Sequence, residues 1–512
     1  MTVPKFYLTT AIDYSNGDPH LGHALEKIGA DAIARYRRLR GDAVHFVMGM
    51  DEHSQSVIQS AARAHVTPEA WVDRMADTFA DYWRRLHCSQ DRWIRTTEPA
   101  HTRAVIAFLE RIRRHRPDDL YEADYEGLYC TGCEEFKTGS QIVEGRCVEH
   151  PSLELVPTKE RNHFFRLSAY RNALMERIQV GAFRVEPQIR RNEVLSLLAA
   201  GLQDISISRQ RQAWGIPFPG DPAQTVYVWF DALINYLTAA TFPDPGYERL
   251  WPADLHIVGK GITRFHCVIW PAMLLAADLP IPRGVWAHGY VQWGGSKLSK
   301  TAGTAVSLDE AIARHGPDAL RYFLLREIGF ANDGDFTWER FEARYTAELA
   351  DTVGNLVSRS LSMILRYRDG VVPGDPVSYA TPLEAAAQEA LARYTRAMDE
   401  YALQDAAAEW VGLAAQANRF IEETAPWQLA GAGNVAALDS VLANLARTIA
   451  RLAVLAQPLV PETADAIWDL LGLESPLRWA ALAAPAVEGR RVMKPPVLFP
   501  KDAPAAQPPK RA

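Results

Sequence analysis

The chain has 512 residues, of which 48% are hydrophobic and 23% are charged, and its formal net charge is −7. This length predicts about three or four domains, and the composition is ordinary for a soluble globular protein. The acidic balance provides no overall positive field, which argues against a general nucleic-acid binder but leaves room for a local basic groove.

Membrane and secretory classes are disfavoured by the hydropathy of the chain. It contains no run of about 18 apolar residues, and its first residues lack a basic region followed by an apolar core. The five cysteines are too few in a chain of this length for a disulfide framework. Together these features predict a cytoplasmic protein that does not span a membrane.

The N-terminal part of the chain alternates predicted strands and helices. Lys5–Thr10 is typical of a buried strand, Leu21–Arg40 of an amphipathic helix, and Ala43–Gly49 of a second strand. Thr67 followed by Pro68 is a favourable helix start, and that helix should run to about residue 86. Such alternation predicts a parallel α/β sheet.

The alternation stops near residue 121 and returns much later. Residues 121–160 are rich in Gly, Cys, Glu and Thr, whereas Leu255–Val258, Phe265–Ala277 and Gly284–Val291 predict a strand, a helix and a strand. The simplest interpretation is one nucleotide-binding α/β fold split by an insertion.

The C-terminal part has a different composition. Beyond about Thr346 the chain is rich in Ala and Leu and is predicted to be helical, with a loop at Asp369–Pro382. Residues 492–512 are rich in Pro and Lys and are predicted to be mostly disordered.

Two histidines occur at the predicted start of the first helix, in His20-Leu21-Gly22-His23. Helix N-termini attract anions through their free N–H groups and the helix dipole, and imidazoles there can add hydrogen bonds to phosphate oxygens. Gly22 would let an adenine ring lie close to the backbone. Taken alone, the four residues fit two surface histidines equally well.

Two lysines occur in a glycine-flanked segment, Lys297-Leu298-Ser299-Lys300-Thr301. They can neutralise a polyphosphate, although a solvated basic turn is the commoner meaning of such a run. Gly259-Lys260-Gly261 begins like a dinucleotide fingerprint, but Arg264 stands in place of the third glycine, which argues against a dehydrogenase.

Four potential metal ligands form two close pairs, Cys130-x2-Cys133 and Cys147-x2-His150. Three thiolates and one imidazole suit a tetrahedral zinc ion, and a site with four protein ligands leaves no open position, so it would be structural. The alternative is a set of unrelated free thiols, and the isolated Cys88 and Cys267 are interpreted as packing residues.

An aromatic and apolar stripe occurs in residues 227–236. Trp229, Ala232 or Leu233, and Tyr236 share one face of a predicted helix, and aromatic walls suit a thioether because sulfur favours ring contacts. By itself such a stripe is more often core than pocket. Asp51, after the second strand, could hold an ammonium group.

These motifs, in this order, resemble the methionyl-tRNA synthetases, a class I synthetase family. HLGH is similar to the first signature of that family and KLSKT to the second, and the resemblance runs from about Lys5 to Arg359 and more weakly to Pro500. It is also carried by the segments TTAIDYSNGDPHLGH, MDEHS, IRTTEPAH, RRNEVLS, LQDISISR, YVWFDALINY, WPADLHIVGK, RFHCVIWPAML, AHGYV, LRYFLLRE, NDGDF and ETAPW.

The resemblance implies roles for individual residues. Those implied to bind methionine, with Asp51 on its ammonium group, are Ile12, Tyr14, Asp51, Trp229, Ala232, Leu233, Tyr236, Ile262 and His266. Those implied to bind ATP are His20, Gly22, His23, Val291, Lys297 and Lys300, of which His20, His23, Lys297 and Lys300 would be catalytic. Those implied to read the anticodon are Asn355, Arg359, Pro426 and Trp427.

The resemblance also implies the architecture and the reaction. A Rossmann-like catalytic domain in two halves, 1–115 and 211–325, would be split by a connective insertion at 116–210 that carries the zinc knuckle. A stem-contact region at 326–350, an all-α anticodon-binding bundle at 351–490 and a partly disordered tail at 491–512 would follow. The implied activity joins methionine to tRNA(Met), including the initiator, using ATP with Mg²⁺, in a monomer that holds one structural Zn²⁺.

Some positions depart from the family pattern. Gly261 stands where Asp is usual, Met50 where Thr is usual, and Ser54 where Gly is usual, while the second signature carries Leu298 and Thr301 in place of Met and Ser. The loss of a carboxylate at 261 supports one alternative, a synthetase-like protein that binds RNA or a partner without useful catalysis. A second alternative is a class I synthetase for another apolar amino acid, although the zinc pattern and the Trp229–Tyr236 set favour methionine.

Overall fold

A parallel β-sheet forms the centre of the N-terminal region in the computed structural model. The structure describes residues 3–130, 132, 135–137, 139–148, 151, 153–210, 214–293, 296–297, 306–374, 381–474 and 476–501. The sheet has seven strands: β1 (Lys5–Thr10), β2 (Asp13–Tyr14), β3 (Ala43–Asp51), β4 (Arg92–Arg95), β5 (Arg184–Glu186), β6 (Leu255–Gly259) and β7 (Gly284–His288).

The order of the strands is β5-β7-β6-β1-β3-β2, and β4 also pairs with β3. Every pairing is parallel, so the predicted Rossmann-like sheet is confirmed. The chain leaves β1 towards β3 on one side, whereas β6 pairs with its other side. The carboxyl ends of β1 and β6 therefore flank the point where the strand order reverses, which is where open α/β sheets bind their ligands.

Four helices connect the first strands: α1 (Leu21–Arg40), α2 (Gln55–Arg63), α3 (Pro68–Arg85) and α4 (Pro99–His115). The bounds of β1 and α1 are those that the sequence predicts. The Thr67 side chain accepts a hydrogen bond from the N–H of Ala70, as expected of an N-cap. β3 extends two residues beyond its predicted end, and this brings Asp51 to the carboxyl edge of the sheet.

The segment 116–226 contains antiparallel sheets and two helices. One sheet consists of Leu120–Cys130, Glu135–Lys137, Val156–Phe165 and Ile205–Ser206, and another of Ser208–Gln210, Pro217–Phe218 and Asp221–Val226. Ile142–Val143 and Arg146–Cys147 form a short hairpin. The helices are α5 (Arg171–Gln179) and α6 (Gln188–Ala200), and the edge strand β5 of the main sheet lies between them in sequence.

The second half of the sheet region carries α7 (Val228–Leu233), α8 (Asn235–Thr238) and α9 (Trp270–Ala276), the last preceded by a π-helical turn at Phe265–Ile269. The strand predicted over Gly284–Val291 is wrong at its end, because β7 stops at His288. Val291 lies instead in a separate strand, Val291–Trp293, which pairs with Ser296–Lys297 and Gly334–Asp335.

The C-terminal region is helical, as predicted. Its helices are α10 (Leu308–Arg326), α11 (Trp338–Arg344), a π-helix at Tyr345–Gly354, α12 (Asn355–Arg368), α13 (Pro382–Asp399), α14 (Leu403–Thr424), α15 (Pro426–Gly431), α16 (Val435–Ala456) and α17 (Pro461–Leu470). None of the helices in the described part of the chain is long and apolar enough to cross a membrane.

The predicted disorder beyond residue 492 is wrong for residues 492–501. Val492 and Phe499 are buried, and the Tyr345 hydroxyl donates a hydrogen bond of 3.0 Å to the carbonyl of Pro500. The prediction was based on the Pro- and Lys-rich composition and did not consider the apolar side chains that anchor this segment.

One buried arginine ties the α/β region to the helical region. The Arg321 guanidinium lies 2.8 Å from Asp31 on α1 and donates to the carbonyls of Pro458 and Leu459. The sheet region and the helical bundle also share one continuous apolar core. The helical bundle is therefore held in a defined position relative to the sheet.

Candidate active site

A cavity of about 290 Å³ opens at the carboxyl ends of β1, β3, β6 and β7. This volume is near the lower end of the range for small-molecule sites, roughly 300–1,000 Å³. The cavity brings together all the predicted methionine-binding residues with three of the predicted ATP-binding residues: Ile12, Tyr14, His20, Gly22, His23, Asp51, Trp229, Ala232, Leu233, Tyr236, Ile262 and His266.

The two histidines of the first motif cap α1 reciprocally. His20 Nδ1 accepts from the backbone N–H of Gly22 at 3.1 Å and of His23 at 3.4 Å, and His23 Nδ1 accepts from the N–H of His20 at 3.2 Å. A neutral imidazole that accepts at Nδ1 carries its proton on Nε2. The cap therefore makes both Nε2–H groups hydrogen-bond donors at a helix N-terminus, where anions are favoured.

Two aromatic rings, Tyr14 and Trp229, line one wall of the cavity, and a third, Phe265, stacks on Trp229. The Trp229 indole stacks on Tyr14, with ring centroids 5.8 Å apart, and on Phe265, with centroids 4.5 Å apart. Ala232 and Leu233, on the same helix as Trp229, complete an apolar surface. Phe265 was not predicted from the sequence, because its contact with Trp229 joins two elements that are distant along the chain.

A hydrogen-bonded pair of polar groups lies within this apolar part of the cavity. The Tyr236 hydroxyl is 2.7 Å from His266 Nε2, and His266 Nδ1 is 3.0 Å from the carbonyl of Ile262. Burial lowers the pKa of His266 to about 4. The imidazole is therefore neutral near pH 7: Nδ1–H donates to Ile262, and Nε2 accepts from Tyr236.

The π-helical turn that carries His266 is explained by a proline close by in the sequence. His266 lies in the π-helical turn Phe265–Ile269, just before Pro271. Proline has no N–H for the helical ladder, and its ring crowds the carbonyl four residues earlier. A wider turn accommodates that residue, and such turns are common where a helix presents a functional side chain.

Asp51 is one of the buried carboxylates that line the cavity. It is 2% exposed, and the Ser15 hydroxyl donates to its backbone carbonyl at 2.8 Å. An ionised carboxylate in a buried position is stabilised by a cationic group.

A second buried carboxylate, Asp231, forms a hydrogen bond with the segment that follows Asp51. It accepts from His53 at 2.8 Å and from His101 at 2.6 Å. Burial would raise the pKa of Asp231, but the two imidazoles hold it below its usual value. Burial would likewise lower the pKa of His53, but Asp231 raises it above its usual value. Since Asp231 lies between Trp229 and Ala232 on α7, this network joins the aromatic wall to the end of β3.

Sequence reasoning missed a charged network beside the first motif. The Lys27 ammonium lies 2.9 Å from Asp13 and 2.8 Å from Glu26, and it donates to the carbonyl of Ala11 at 2.7 Å. His288 Nε2 lies 3.1 Å from the other oxygen of Glu26. Asp13, Glu26 and His288 all line the cavity. The sequence signal that could have revealed this network is the pair of charged residues on α1 between the buried Leu25 and Ile28.

The charges of this network shift two pKa values in opposite directions. Burial raises the pKa of Asp13 to about 6, although the charge of Lys27 opposes this rise. Burial would also raise the pKa of Glu26, but Lys27 and His288 together lower it to about 2. Glu26 is therefore an ionised acceptor at the cavity surface near pH 7.

Of the three remaining predicted ATP-binding residues, only Val291 has a described side chain. Val291 is buried in the strand that follows Tyr290 and is not among the described residues that line the cavity. The backbone of Lys297 belongs to the strand Ser296–Lys297. The side chain of Lys297, and residues 298–301 with Lys300, lie outside the described residues.

Comparison with known proteins identifies the family. The family described as "tRNA synthetases class I (M)" matches residues 6–154 and 152–361, and the "Anticodon binding domain of methionyl tRNA ligase" matches residues 373–506. A methionine–tRNA ligase of Thermosynechococcus vestitus is 38% identical, over 99% of this chain and 96% of its own length. One of Brucella suis is 39% identical, over 98% of each chain.

The chain belongs to the methionyl-tRNA synthetase family.

A solved member of the methionyl-tRNA synthetase family shares the whole fold. The Mycobacterium tuberculosis methionyl-tRNA synthetase in complex with methionyl-adenylate superposes with a TM-score of 0.93 at 38% identity. The match covers 97% of this chain and 100% of the other. The predicted fold of a methionyl-tRNA synthetase, a Rossmann-like domain followed by a helical anticodon-binding domain, is confirmed.

Of the residues predicted to read the tRNA anticodon, Asn355, Arg359 and Trp427 lie at the surface of the helical region, whereas Pro426 is buried. Asn355 is exposed one turn before Arg359 on α12, and Arg359 lies 2.6 Å from Glu422 near the end of α14. α14 ends at Thr424, its C-cap Ala425 has a φ of +42°, and α15 begins at Pro426. Trp427 follows and is 44% exposed, so it is a surface indole rather than a core residue.

Only two of the four predicted zinc ligands are among the described residues. Cys130 and Cys147 are buried thiols, with exposures of 0% and 1%, at the ends of Leu120–Cys130 and Arg146–Cys147. Cys133 and His150 lie outside the described residues, and no group of three metal-ligating side chains occurs among those that are described. Few other side chains are buried among the described residues of this segment, and thiols are ligands that a structural zinc ion prefers.

Proposed function

We propose that the chain is a methionine–tRNA ligase, which activates methionine with ATP to methionyl-adenylate and pyrophosphate and then transfers methionine to the 3′ end of tRNA(Met), including the initiator. The observation that supports this most directly is the composition of one cavity. It combines a helix N-terminus with two imidazole donors, a buried carboxylate, and an aromatic pocket of suitable chemistry for a thioether.

The amino acid would bind with its side chain against the stacked rings. The thioether would contact Trp229, since sulfur makes favourable contacts with aromatic rings. Asp51 would pair with the ammonium group, and the neutral Tyr236–His266 pair would supply the polar contact of the apolar end. Because His266 stays uncharged at pH 7, this end of the pocket would favour a neutral side chain over an anionic or cationic one.

The nucleotide would bind along the start of α1. The Nε2–H groups of His20 and His23 would donate to phosphate oxygens, supported by the free N–H groups of the helix. The methionine carboxylate would then attack the α-phosphorus, the bond to the bridging oxygen would break, and pyrophosphate would leave. Mg²⁺ bound with ATP would neutralise charge on the leaving pyrophosphate.

No protein nucleophile is needed for this reaction. The residues of the chain would hold the two reactants in line and stabilise the charge that develops on the phosphate oxygens. Lys297 and Lys300 would add positive charge on the pyrophosphate side. The ribose hydroxyl at the 3′ end of the tRNA would then attack the methionyl carbonyl, with AMP as the leaving group.

Selection of the tRNA would occur in the helical region. Asn355 and Arg359 share one face of α12, and the exposed Trp427 offers a stacking surface, so together they suit unpaired anticodon bases. The insertion would hold one structural zinc ion through Cys130, Cys133, Cys147 and His150. The monomeric state and the cytoplasmic location stay predictions.

The experiment that tests the proposal is charging of tRNA(Met). The purified protein, methionine, ATP and Mg²⁺ should yield methionyl-tRNA(Met), and a transcript with an altered anticodon should be charged far less. Charging of neither transcript, by protein that is folded and binds ATP, would contradict the proposed function.

A further inference from the structure

Tyr290 and Gly261 form a close contact at the mouth of the cavity. Both line it, Gly261 in the turn after β6 and Tyr290 after β7. A Cβ atom added to Gly261 would lie 2.2 Å from the Tyr290 hydroxyl oxygen and 3.5 Å from the ring carbon that carries it. No real Cβ approaches an oxygen so closely, so the phenol hydroxyl occupies the space that any side chain at position 261 would need.

The Tyr290 ring is held in this place from two sides. The Lys260 ammonium lies 4.6 Å from the ring centroid, which is a favourable cation–π distance. The backbone N–H of Tyr290 donates to Asp333 at 2.9 Å, and the other oxygen of Asp333 lies 2.7 Å from Lys260. The position of the hydroxyl is therefore set by neighbours that a change to phenylalanine would leave in place.

The location of Tyr290 indicates which part of a substrate it meets. In the proposed complex, phosphate lies at the start of α1 and methionine lies against Trp229, which leaves the rest of the lining to the nucleoside. The residues of the lining assigned to neither ligand are Ala11, Asp13, Glu26, Asn235, Gly259, Gly261, His288, Gly289 and Tyr290. The three glycines let a sugar approach the backbone closely. A phenol hydroxyl both donates and accepts hydrogen bonds, as a ribose hydroxyl does, whereas a phosphate oxygen only accepts.

We propose that the Tyr290 hydroxyl binds a ribose hydroxyl of ATP, and that Gly261 is the residue that makes room for it. This inference rests on the proposed function and adds a residue that contacts the nucleoside. It also explains the departure from the family pattern at 261. The polar group at this part of the cavity is the Tyr290 hydroxyl, which follows β7, rather than a side chain in the turn after β6.

The first test is Tyr290→Phe, assayed by methionine-dependent ATP–pyrophosphate exchange with ATP, 2′-deoxy-ATP and 3′-deoxy-ATP. Loss of one hydrogen bond should lower kcat/KM for ATP by about 3- to 10-fold. The preference of the wild type for ATP over the analogue that lacks the contacted hydroxyl should fall by the same factor, while the KM for methionine stays unchanged. If the preferences over both analogues match those of the wild type, the hydroxyl does not bind ribose and the inference is overturned.

The second test is a double-mutant cycle with Gly261→Ala. The backbone of Gly261 is outside the left-handed region, so alanine is accepted locally, and its methyl group must displace the Tyr290 hydroxyl. Gly261→Ala alone should therefore lower kcat/KM for ATP. In the Tyr290→Phe background the nearest ring carbon is 3.5 Å away, an ordinary contact, so the second change should cost nothing further. If the decrease in kcat/KM for ATP of the double variant is the product of the decreases in the two single variants, the inference is overturned.

The outcome for the wild type separates this inference from the proposed function. A wild-type protein that catalyses no exchange with methionine contradicts the function itself. A wild-type protein that catalyses exchange, but whose Tyr290→Phe variant has the same kcat/KM for ATP, contradicts only the role of Tyr290.

Discussion

His20 combines two roles that substitution can separate. As the N-cap of α1 it satisfies the N–H groups of Gly22 and His23, and loss of such a cap costs about 0.5–2 kcal/mol of stability. As a donor to phosphate it would act through Nε2–H. A preorganised donor to developing charge is worth about 10²–10³-fold in kcat.

Two substitutions of His20 give different expected results. His20→Ala should lose both the cap and the donor, so the free energy of unfolding in urea and the kcat of ATP–pyrophosphate exchange should both fall. Asparagine is among the best N-caps, but its shorter side chain does not place a donor where Nε2–H lies. His20→Asn should therefore retain the stability to within a few tenths of a kcal/mol and still lose most of kcat.

This reasoning is refuted by either of two results. If His20→Asn retains both the stability and the exchange activity of the wild type, the imidazole has no role beyond the cap. If His20→Ala unfolds at the same urea concentration as the wild type, the reciprocal cap contributes nothing, and the orientation argument for Nε2–H loses its basis.

Three further predictions concern other parts of the molecule. Trp427→Ala should leave ATP–pyrophosphate exchange intact but weaken aminoacylation by about 1–3 kcal/mol, the value of one stacked base; a parallel loss of both half-reactions would show that Trp427 is structural. The pKa of His266 is 6.5 in the unfolded chain and about 4 in the folded protein, so between these pH values only the unfolded chain takes up a proton. The contribution of His266 to the free energy of unfolding is therefore complete above pH 6.5 and falls by about 3 kcal/mol as the pH drops to 4. Urea titrations of His266→Gln should show a correspondingly flatter pH dependence, and an unchanged slope would contradict this. Elemental analysis of protein prepared without chelators should find one zinc per chain, and Cys133→Ser should remove it whereas Cys267→Ser, at a buried core thiol, should not; protein without zinc would contradict the knuckle.

The elements near the site were predictable because their patterns are local. The bounds of β1 and α1 follow from an apolar run and from a 3.6-residue period that ends at Gly41. The Thr67–Pro68 helix start likewise depends on neighbours in sequence. The first motif lies where the sequence predicts it, at a helix N-terminus, because a strand–turn–helix unit needs only consecutive residues.

The features that escaped prediction depend on contacts between distant residues. Glu26 meets His288, 262 residues away along the chain, and Asp231 bridges His53 and His101 from two other elements. No periodicity within one segment encodes such pairs. The stack of Phe265 on Trp229 and the contact of Tyr290 with Gly261 arise in the same way.

The tail was mispredicted for a related reason. Its composition is typical of disorder, but the local pattern does not show that Phe499 packs against Tyr345, with ring centroids 6.1 Å apart. Phe499 and Pro500 both contact Tyr345, which lies 155 residues before Pro500 along the chain.

The most direct test of the central claim is ATP–pyrophosphate exchange by the wild-type protein with each of the twenty amino acids in turn. The aromatic pocket, the neutral His266 and the buried Asp51 predict that methionine supports exchange with a kcat/KM well above that of every other amino acid, including leucine, isoleucine and valine. Exchange that is faster with another amino acid, or absent with all twenty, would contradict the assignment of this cavity to methionine activation.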